Sequence, residues 1–171
     1  MNKSTTVTAM IECPKGSNQK FDYDLSEKRY RLSKFLPAEM VFPFDFGMIP
    51  GTKGEDGDPL DIIVISEGST FPGCLVDCRV IGALQAEQTE RNGETMRNDR
   101  FIATARKMKG VCQPKTIRGL SDDILDQIER FFVSYNAIEG KKFKMLRLSD
   151  ETVARKLIEK AHKKFLAEGS A

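Results

Sequence analysis

The positions of the turn-forming residues constrain the fold of this 171-residue chain more than any other feature. From about Val7 to Thr104, turn signals separate short stretches of strand-forming residues. These signals are Pro14-Lys15-Gly16, Pro50-Gly51, Lys53-Gly54, Pro72-Gly73 and Asn92-Gly93. Their spacing favours a closed antiparallel sheet over alternating βαβ units. The length is that of a single domain, which we expect to span residues 1–171.

The last third of the chain has a different pattern, which predicts two helices. Ser121 is a suitable N-cap for the first helix, and apolar residues recur at helical spacing from Ile124 to Tyr135. A second amphipathic helix is expected to begin after Ser149 and to end near Gly169. The predicted architecture is therefore a small barrel with two covering helices.

One hairpin is predicted in more detail. Asn92-Gly93 favours a two-residue type I′ turn between the strands at residues 80–89 and 96–104. In that register Glu87 lies directly opposite Asn98, and Asn98 shares a face with Arg100. This face of the hairpin would offer a carboxylate, an amide and a guanidinium together.

Composition excludes several classes of protein. The 27 Lys and Arg residues nearly balance the 25 Asp and Glu residues, which argues against a dedicated nucleic-acid binder. The N-terminus lacks the apolar core of a signal peptide, and no stretch is long and apolar enough for a membrane span. We therefore expect a soluble, cytoplasmic protein that binds neither nucleic acid nor membrane.

The cysteines and the single histidine favour neither a zinc site nor a nitrogen-rich metal site. The four cysteines, Cys13, Cys74, Cys78 and Cys112, include no CxxC pair, so we expect reduced and mostly buried thiols. His162 falls in the basic C-terminal helix, where a solvated residue is expected rather than a catalytic base.

Residues 56–62 hold the strongest functional signal, because three carboxylates, Asp56, Asp58 and Asp61, fall within six positions. Gly57 and Pro59 shape this loop so that it orients its side chains. Clustered carboxylates outside bulk water need a cation, and oxygen ligands suit Mg²⁺, Mn²⁺ or Ca²⁺. The alternatives are an Asx-rich turn before a strand and a structural Ca²⁺ site, although the spacing is not that of an EF-hand.

A phosphate-processing site also needs cationic donors. The candidates are Lys20, Lys34, Arg100, Lys141 and Lys142. Each is weak evidence alone, but together with the acidic loop they suit metal-assisted hydrolysis of a small phosphorylated anion. A bound metal ion lowers the pKa of its water from about 15.7 toward 7, and a free carboxylate can accept the proton.

Several segments of the chain resemble those of a known protein family. The chain resembles the family I soluble inorganic pyrophosphatases, which hydrolyse pyrophosphate to two phosphates with Mg²⁺. Residues 56–62 match the signature of that family at every position. The similarity runs from about Ile11 to the C-terminus and includes residues 11–14, 20–22, 42–47 and 131–135.

The resemblance implies a five-stranded, OB-like antiparallel barrel covered by two C-terminal helices. It also implies Asp56 and Asp61 as metal ligands, with Asp61 shared between two ions, and Asp58 as the base that activates water. Lys20 and Tyr135 match contacts to the substrate phosphates. The implied cofactor is Mg²⁺, with Mn²⁺ or another divalent cation as alternatives, and the implied assembly is a symmetric homo-oligomer.

The remaining site residues differ from the family pattern. The family has an aspartate on each strand beside the hairpin turn; Asn98 stands at one of these positions, and the predicted register assigns Glu87 to the other. Both are therefore expected among the metal ligands. Arg100 holds the basic position two residues after Asn98, and Lys34 replaces a substrate-binding arginine.

Further departures lie around these positions. Asp22, beside the supporting residue Glu12, shortens a glutamate; Phe42 and Phe46 replace tyrosines; and Asn136 replaces a lysine. The chain is thus interpreted as a divergent inorganic pyrophosphatase. Two alternatives stay open, a hydrolase of a related organic diphosphate and a catalytically weakened paralogue that binds metal and phosphate.

Overall fold

The computed structural model describes residues 5–106 and 114–169. Within them the chain forms nine strands and two α-helices. The strands are β1 (Thr6–Cys13), β2 (Gln19–Asp24), β3 (Arg29–Phe35), β4 (Asp45–Ile49), β5 (Leu60–Ile65), β6 (Leu75–Thr89), β7 (Thr95–Arg97), β8 (Arg100–Ala105) and β9 (Lys142–Asp150). The helices are α1 (Asp122–Ile138) and α2 (Glu151–Glu168), which flank β9.

Five strands close into a ring in the order β1, β4, β5, β8 and β6, and β6 pairs with β1 again. The predicted mainly β fold, a five-stranded barrel with two C-terminal helices, is confirmed. One pairing in the ring, β5 with β8, is parallel, and there Asp61 lies opposite Arg100. The strand that follows the acidic loop therefore runs beside the strand that follows the hairpin.

The hairpin between β6 and β7 differs from the prediction. Its loop has three residues, because Glu90 N donates to Glu94 O and Gly93 N donates to Glu90 O. Gly93 has a φ of 87°, a left-handed conformation in which glycine meets no steric penalty. A glycine in this conformation ends a common type of three-residue loop, so Asn-Gly alone did not determine the loop length.

The longer loop shifts the register by one residue. Glu87 lies opposite Arg97 rather than Asn98. Between β7 and β8 the ladder is irregular, since Ala86 N donates to the Asp99 carboxylate at 3.0 Å. The predicted pairing of Glu87 with Asn98 is therefore wrong.

The helices cover opposite parts of the barrel, and each completes a hydrophobic cluster. The α1 cluster includes Phe42, Phe46 and Phe132; the Phe42 and Phe46 rings are stacked, and the Phe132 ring packs at a tilt against Phe46. In the α2 cluster, Ala154 and Ile158 pack against barrel residues. Both helices lie where the sequence predicted them, with Ser121 before α1 and Gly169 after α2. The N-cap of α2 is Asp150, whose carboxylate accepts from Val153 N at 3.1 Å.

The strands β2 and β3 form a separate two-stranded sheet, which carries Lys20 and Asp22. Among the cysteines, Cys13 and Cys78 are free and buried, and Cys74 is free and half-buried, as predicted; Cys112 lies outside the described residues. Burial raises the pKa of both the Cys13 and Cys78 thiols to about 12. In the described ranges, no helix is long and apolar enough to cross a membrane.

Candidate active site

The acidic loop is a tight turn that leads directly into β5. Gly54 N donates to Asp58 O at 2.7 Å, and Asp58 N donates to the Asp56 carboxylate at 3.1 Å. Gly57 occupies the left-handed region with a φ of 93°. The Asx turn considered from the sequence is thus present, and it leaves Asp56 and Asp58 exposed.

Two cavities meet at Asp61 and Pro59. The α2-side cavity, of about 280 Å³, contains Asp56, Asp61 and Asn98 in its lining. The α1-side cavity, of about 330 Å³, has a larger set of predicted site residues in its lining. These are Glu12, Lys20, Asp22, Asp58, Asp61, Arg100 and Tyr135. The structure therefore brings three predicted metal ligands to one cavity and the predicted base and phosphate contacts to the other.

The carboxyl groups around Asp61 have raised pKa values, chiefly because of burial. Burial raises the pKa of Asp61, Arg100 opposes this shift, and the Asp56 carboxylate adds to it. Partial burial likewise raises the pKa of Asp56, with the Asp58 carboxylate acting in the same direction. Burial also raises the pKa of Glu12 against the opposing charge of Lys20. A bound cation would favour the ionised form of these carboxyl groups, so the site favours the binding of positive charge.

Arg100 is the most buried cation of the site, with only 4% of its surface exposed. Its Nη1 lies 2.7 Å from Asp61 Oδ2. The same nitrogen donates to the backbone and side-chain oxygens of Asn98. Its guanidinium carbon lies 4.9 Å from the centre of the Phe132 ring and 5.6 Å from that of Phe143, a cation–π arrangement.

Two amides occupy the hairpin side of the site. Asn98 Nδ2 donates to Gln88 Oε1 at 3.1 Å, and Gln88 lies in the lining of the α1-side cavity. Glu87 belongs to the lining of neither cavity. Gln88 was not predicted as a site residue, because Asn92-Gly93 was interpreted as a two-residue turn. A three-residue loop ending in Gly93 would have indicated that Gln88 lies near Asn98. The hairpin thus contributes amide oxygens, and the carboxylate predicted from Glu87 is absent from the described linings of both cavities.

Two further basic residues belong to the lining of the α1-side cavity: Lys20, which forms an ion pair with Asp22, and Lys141, which forms one with Glu90. Burial would lower the pKa of Lys20, but the neighbouring Cys13, Asp22 and Glu12 outweigh it and hold this pKa above its ordinary value. Glu12 also accepts a hydrogen bond from Tyr23 N at 3.0 Å and so ties β1 to β2. Lys20 therefore stays charged and fixed in place.

Lys34 does not belong to the lining of either cavity. It forms an ion pair with Glu139 at 2.6 Å, and its ammonium lies 4.8 Å from the centre of the Tyr135 ring. Lys34 therefore contacts the α1-side cavity only indirectly, through the ring of Tyr135. Asn136, at the expected lysine position, is only 2% exposed and donates to Phe132 O at 2.8 Å, so it stabilises the last turn of α1.

The donor set fits a hard divalent cation. Asp56, Asp61 and Asn98 belong to the lining of one cavity, and their carboxylate and amide oxygens are the ligands that Mg²⁺ and Mn²⁺ prefer, although Asn98 Oδ1 already accepts from Arg100. No group of three or more His, Cys, Asp or Glu side chains in residues 5–106 and 114–169 is arranged to hold a metal ion. The predicted ligands of the α2-side cavity are therefore two carboxylates and one amide, and the lining also contains Glu55 and Asp99.

Comparisons with known proteins identify the family of this chain. The family model for inorganic pyrophosphatase matches residues 9–166. An inorganic pyrophosphatase from Halalkalibacterium halodurans is 33% identical over 159 residues, which cover 93% of this chain and 94% of that protein. One from Synechocystis is 32% identical over 163 residues, or 95% of this chain and 94% of that protein.

A solved structure shows the same fold. The crystal structure of inorganic pyrophosphatase from Thermus thermophilus superposes with a TM-score of 0.86 and 28% identity, over 96% of this chain and 94% of that one. This chain belongs to the inorganic pyrophosphatase family, a family of hydrolases. The resemblance seen in the sequence and the expectation of an enzyme of this class are thereby confirmed.

Proposed function

We propose that this protein hydrolyses inorganic pyrophosphate to two phosphates with Mg²⁺, for which Mn²⁺ or another divalent cation can substitute. The observation that carries the proposal is the position of Asp61. It lies where a cavity with oxygen ligands meets a cavity with the cationic donors Lys20 and Arg100. A metal and a phosphorylated anion can therefore be held side by side.

Each residue has a distinct proposed role. Asp56, Asp61 and Asn98 hold the cation, which when bound supplies positive charge to phosphoryl oxygens and makes a nearby water more acidic. Arg100, Lys20 and Tyr135 hold the anion, and Asp58 accepts the proton of the attacking water. Asp22 and Glu12 keep Lys20 in place, and Lys34 acts on the substrate site through Tyr135.

Phosphate release from pyrophosphate with Mg²⁺ tests this proposal. We expect release by the wild type and a loss of about 100-fold or more in Asp58→Asn, because proton acceptance contributes roughly that factor. Asp126→Asn is the matched control, since Asp126 lies on α1 with 63% of its side chain exposed and outside both linings. Absence of release by the wild type, or equal rates for wild type and Asp58→Asn, would contradict the proposal.

A second candidate is a paralogue that binds metal and phosphate with little turnover. The Gln88–Asn98 amide pair favours it, because two neutral side chains stand beside the metal-ligand position. Calorimetric measurement of Mg²⁺ and phosphate binding, together with an assay of pyrophosphate turnover, distinguishes the paralogue from an active pyrophosphatase. Measurable binding of both ligands with negligible hydrolysis supports the paralogue.

An organic diphosphate remains a proposal with less support. Phe42, Phe46 and Met48 motivated it, and all three belong to the lining of the α1-side cavity, but Phe42 and Phe46 are only 2% and 7% exposed and are part of the core cluster under α1. Their rings therefore serve packing. A panel of nucleotide and organic diphosphates checks this, and a faster rate than with pyrophosphate would favour the organic substrate.

A further inference from the structure

We propose that Arg100 competes internally with the cation for Asp61. Its guanidinium is paired with the Asp61 carboxylate, and a divalent cation would bind this carboxylate by displacing the guanidinium toward the bound anion. The inference rests on the proposed function, but its test measures cation binding without turnover.

The ion pair is built into the barrel. Asp61 and Arg100 are direct neighbours in the parallel pairing of β5 with β8, so the strand register places their side chains together. Arg100 Nη1 lies 2.7 Å from Asp61 Oδ2, and the side chains are 5% and 24% exposed. With so little water present, the attraction is much stronger than in an exposed pair. A cation that binds Asp61 must overcome this attraction.

The surroundings allow the guanidinium to leave Asp61 without becoming an isolated buried charge. Asn98 O and Asn98 Oδ1 accept from the same Nη1, and the Phe132 and Phe143 rings lie within cation–π distance. The Nε hydrogen of Arg100 has no acceptor among the described residues. This buried donor therefore gains an acceptor only when the guanidinium moves toward the anion, which favours that movement.

This arrangement couples the two ligands. An anion that draws Arg100 away from Asp61 removes the competitor and so raises the affinity for the cation. By thermodynamic linkage, the cation raises the affinity for the anion by the same factor. Arg100 thereby acts both as a contact to the anion and as a device that favours joint occupancy of the two cavities.

Calorimetric titration with Mg²⁺, without pyrophosphate, tests the competition. We expect Arg100→Gln to bind Mg²⁺ about tenfold more tightly than the wild type, with circular dichroism confirming the fold. The matched control is Lys20→Gln, because Lys20 also acts electrostatically on Asp61 but is paired with Asp22. We expect a change below about threefold for this control. Equal effects of the two substitutions, or no tightening in Arg100→Gln, would overturn the proposal.

A second titration does not depend on the stability of Arg100→Gln. Inorganic phosphate should raise the affinity of the wild type for Mg²⁺, and Arg100→Lys should reduce this enhancement because an ammonium lacks the fork of the guanidinium. An undiminished enhancement in Arg100→Lys, or none in the wild type, contradicts the proposal. If wild type hydrolyses no pyrophosphate while Arg100→Gln tightens Mg²⁺ binding, the proposed function fails and the competition stands.

Discussion

The neutral side chains of the hairpin set the charge of the candidate site. Asn98 and Gln88 bond to each other beside Asp61, so these two positions offer amide oxygens without negative charge, and the neighbouring Asp99 is paired with Arg97. Affinity for a hard cation rises with the number of charged ligands. The site is therefore expected to bind divalent cations more weakly than its acidic loop alone indicates.

Asn98→Asp tests this charge effect. We expect it to tighten Mg²⁺ binding by about tenfold, because it adds a carboxylate to the lining shared with Asp56 and Asp61. Asn92→Asp makes the same charge change at the exposed tip of the hairpin and should leave the affinity unchanged. Calorimetric titration measures both, and a weaker affinity in Asn98→Asp would show that position 98 is not a ligand.

Among the elements, the β2–β3 hairpin has the most specific task, because it carries Lys20 into the α1-side cavity. Its turn is organised by Asp24. The carboxylate accepts from the Ser26 hydroxyl at 2.6 Å, from Glu27 N at 3.0 Å and from Arg31 Nε at 2.8 Å. These donors, led by Ser26, hold the pKa of Asp24 far below its ordinary value of 3.8.

A pH-dependent stability follows from this lowered pKa. A depressed pKa contributes stability above the ordinary value, and that stability is lost as the pH falls below it. We expect Asp24→Asn to unfold more readily than the wild type near pH 6, with the difference shrinking toward about pH 3. Urea unfolding at both pH values measures it, with Asp126→Asn on α1 as the control. A difference that grows on acidification would refute the role of Asp24.

At the scale of the whole molecule, one groove points to self-association. It has a volume of about 980 Å³, and Leu25, Leu75 and Phe165 are among its lining residues. Their exposed fractions are 68%, 63% and 43%, which is unusual for large apolar side chains gathered at one site. This groove is consistent with the homo-oligomer expected from the sequence.

Light scattering after size exclusion tests the oligomer. The expected mass of the wild type is a multiple of 19.2 kDa, and Leu75→Lys should lower it because a charge enters the apolar groove. Leu146→Lys, at a 40% exposed position outside the groove, should leave the mass unchanged. A wild type that elutes as a 19.2 kDa monomer would exclude this assembly.

The barrel with its two helices, the family and the acidic loop of Asp56, Asp58 and Asp61 could all be predicted from the sequence. These predictions depend on signals that lie close together in the chain, namely turn residues, helical periodicity and a short motif. The residues that meet across strands became known from the folded structure. Because the hairpin loop has one residue more than predicted, Gln88 rather than Glu87 lies beside Asn98. Closure of the barrel brings Arg100 into an ion pair with Asp61. Strand register depends on loop conformation and on pairings distant in sequence, which local patterns do not encode.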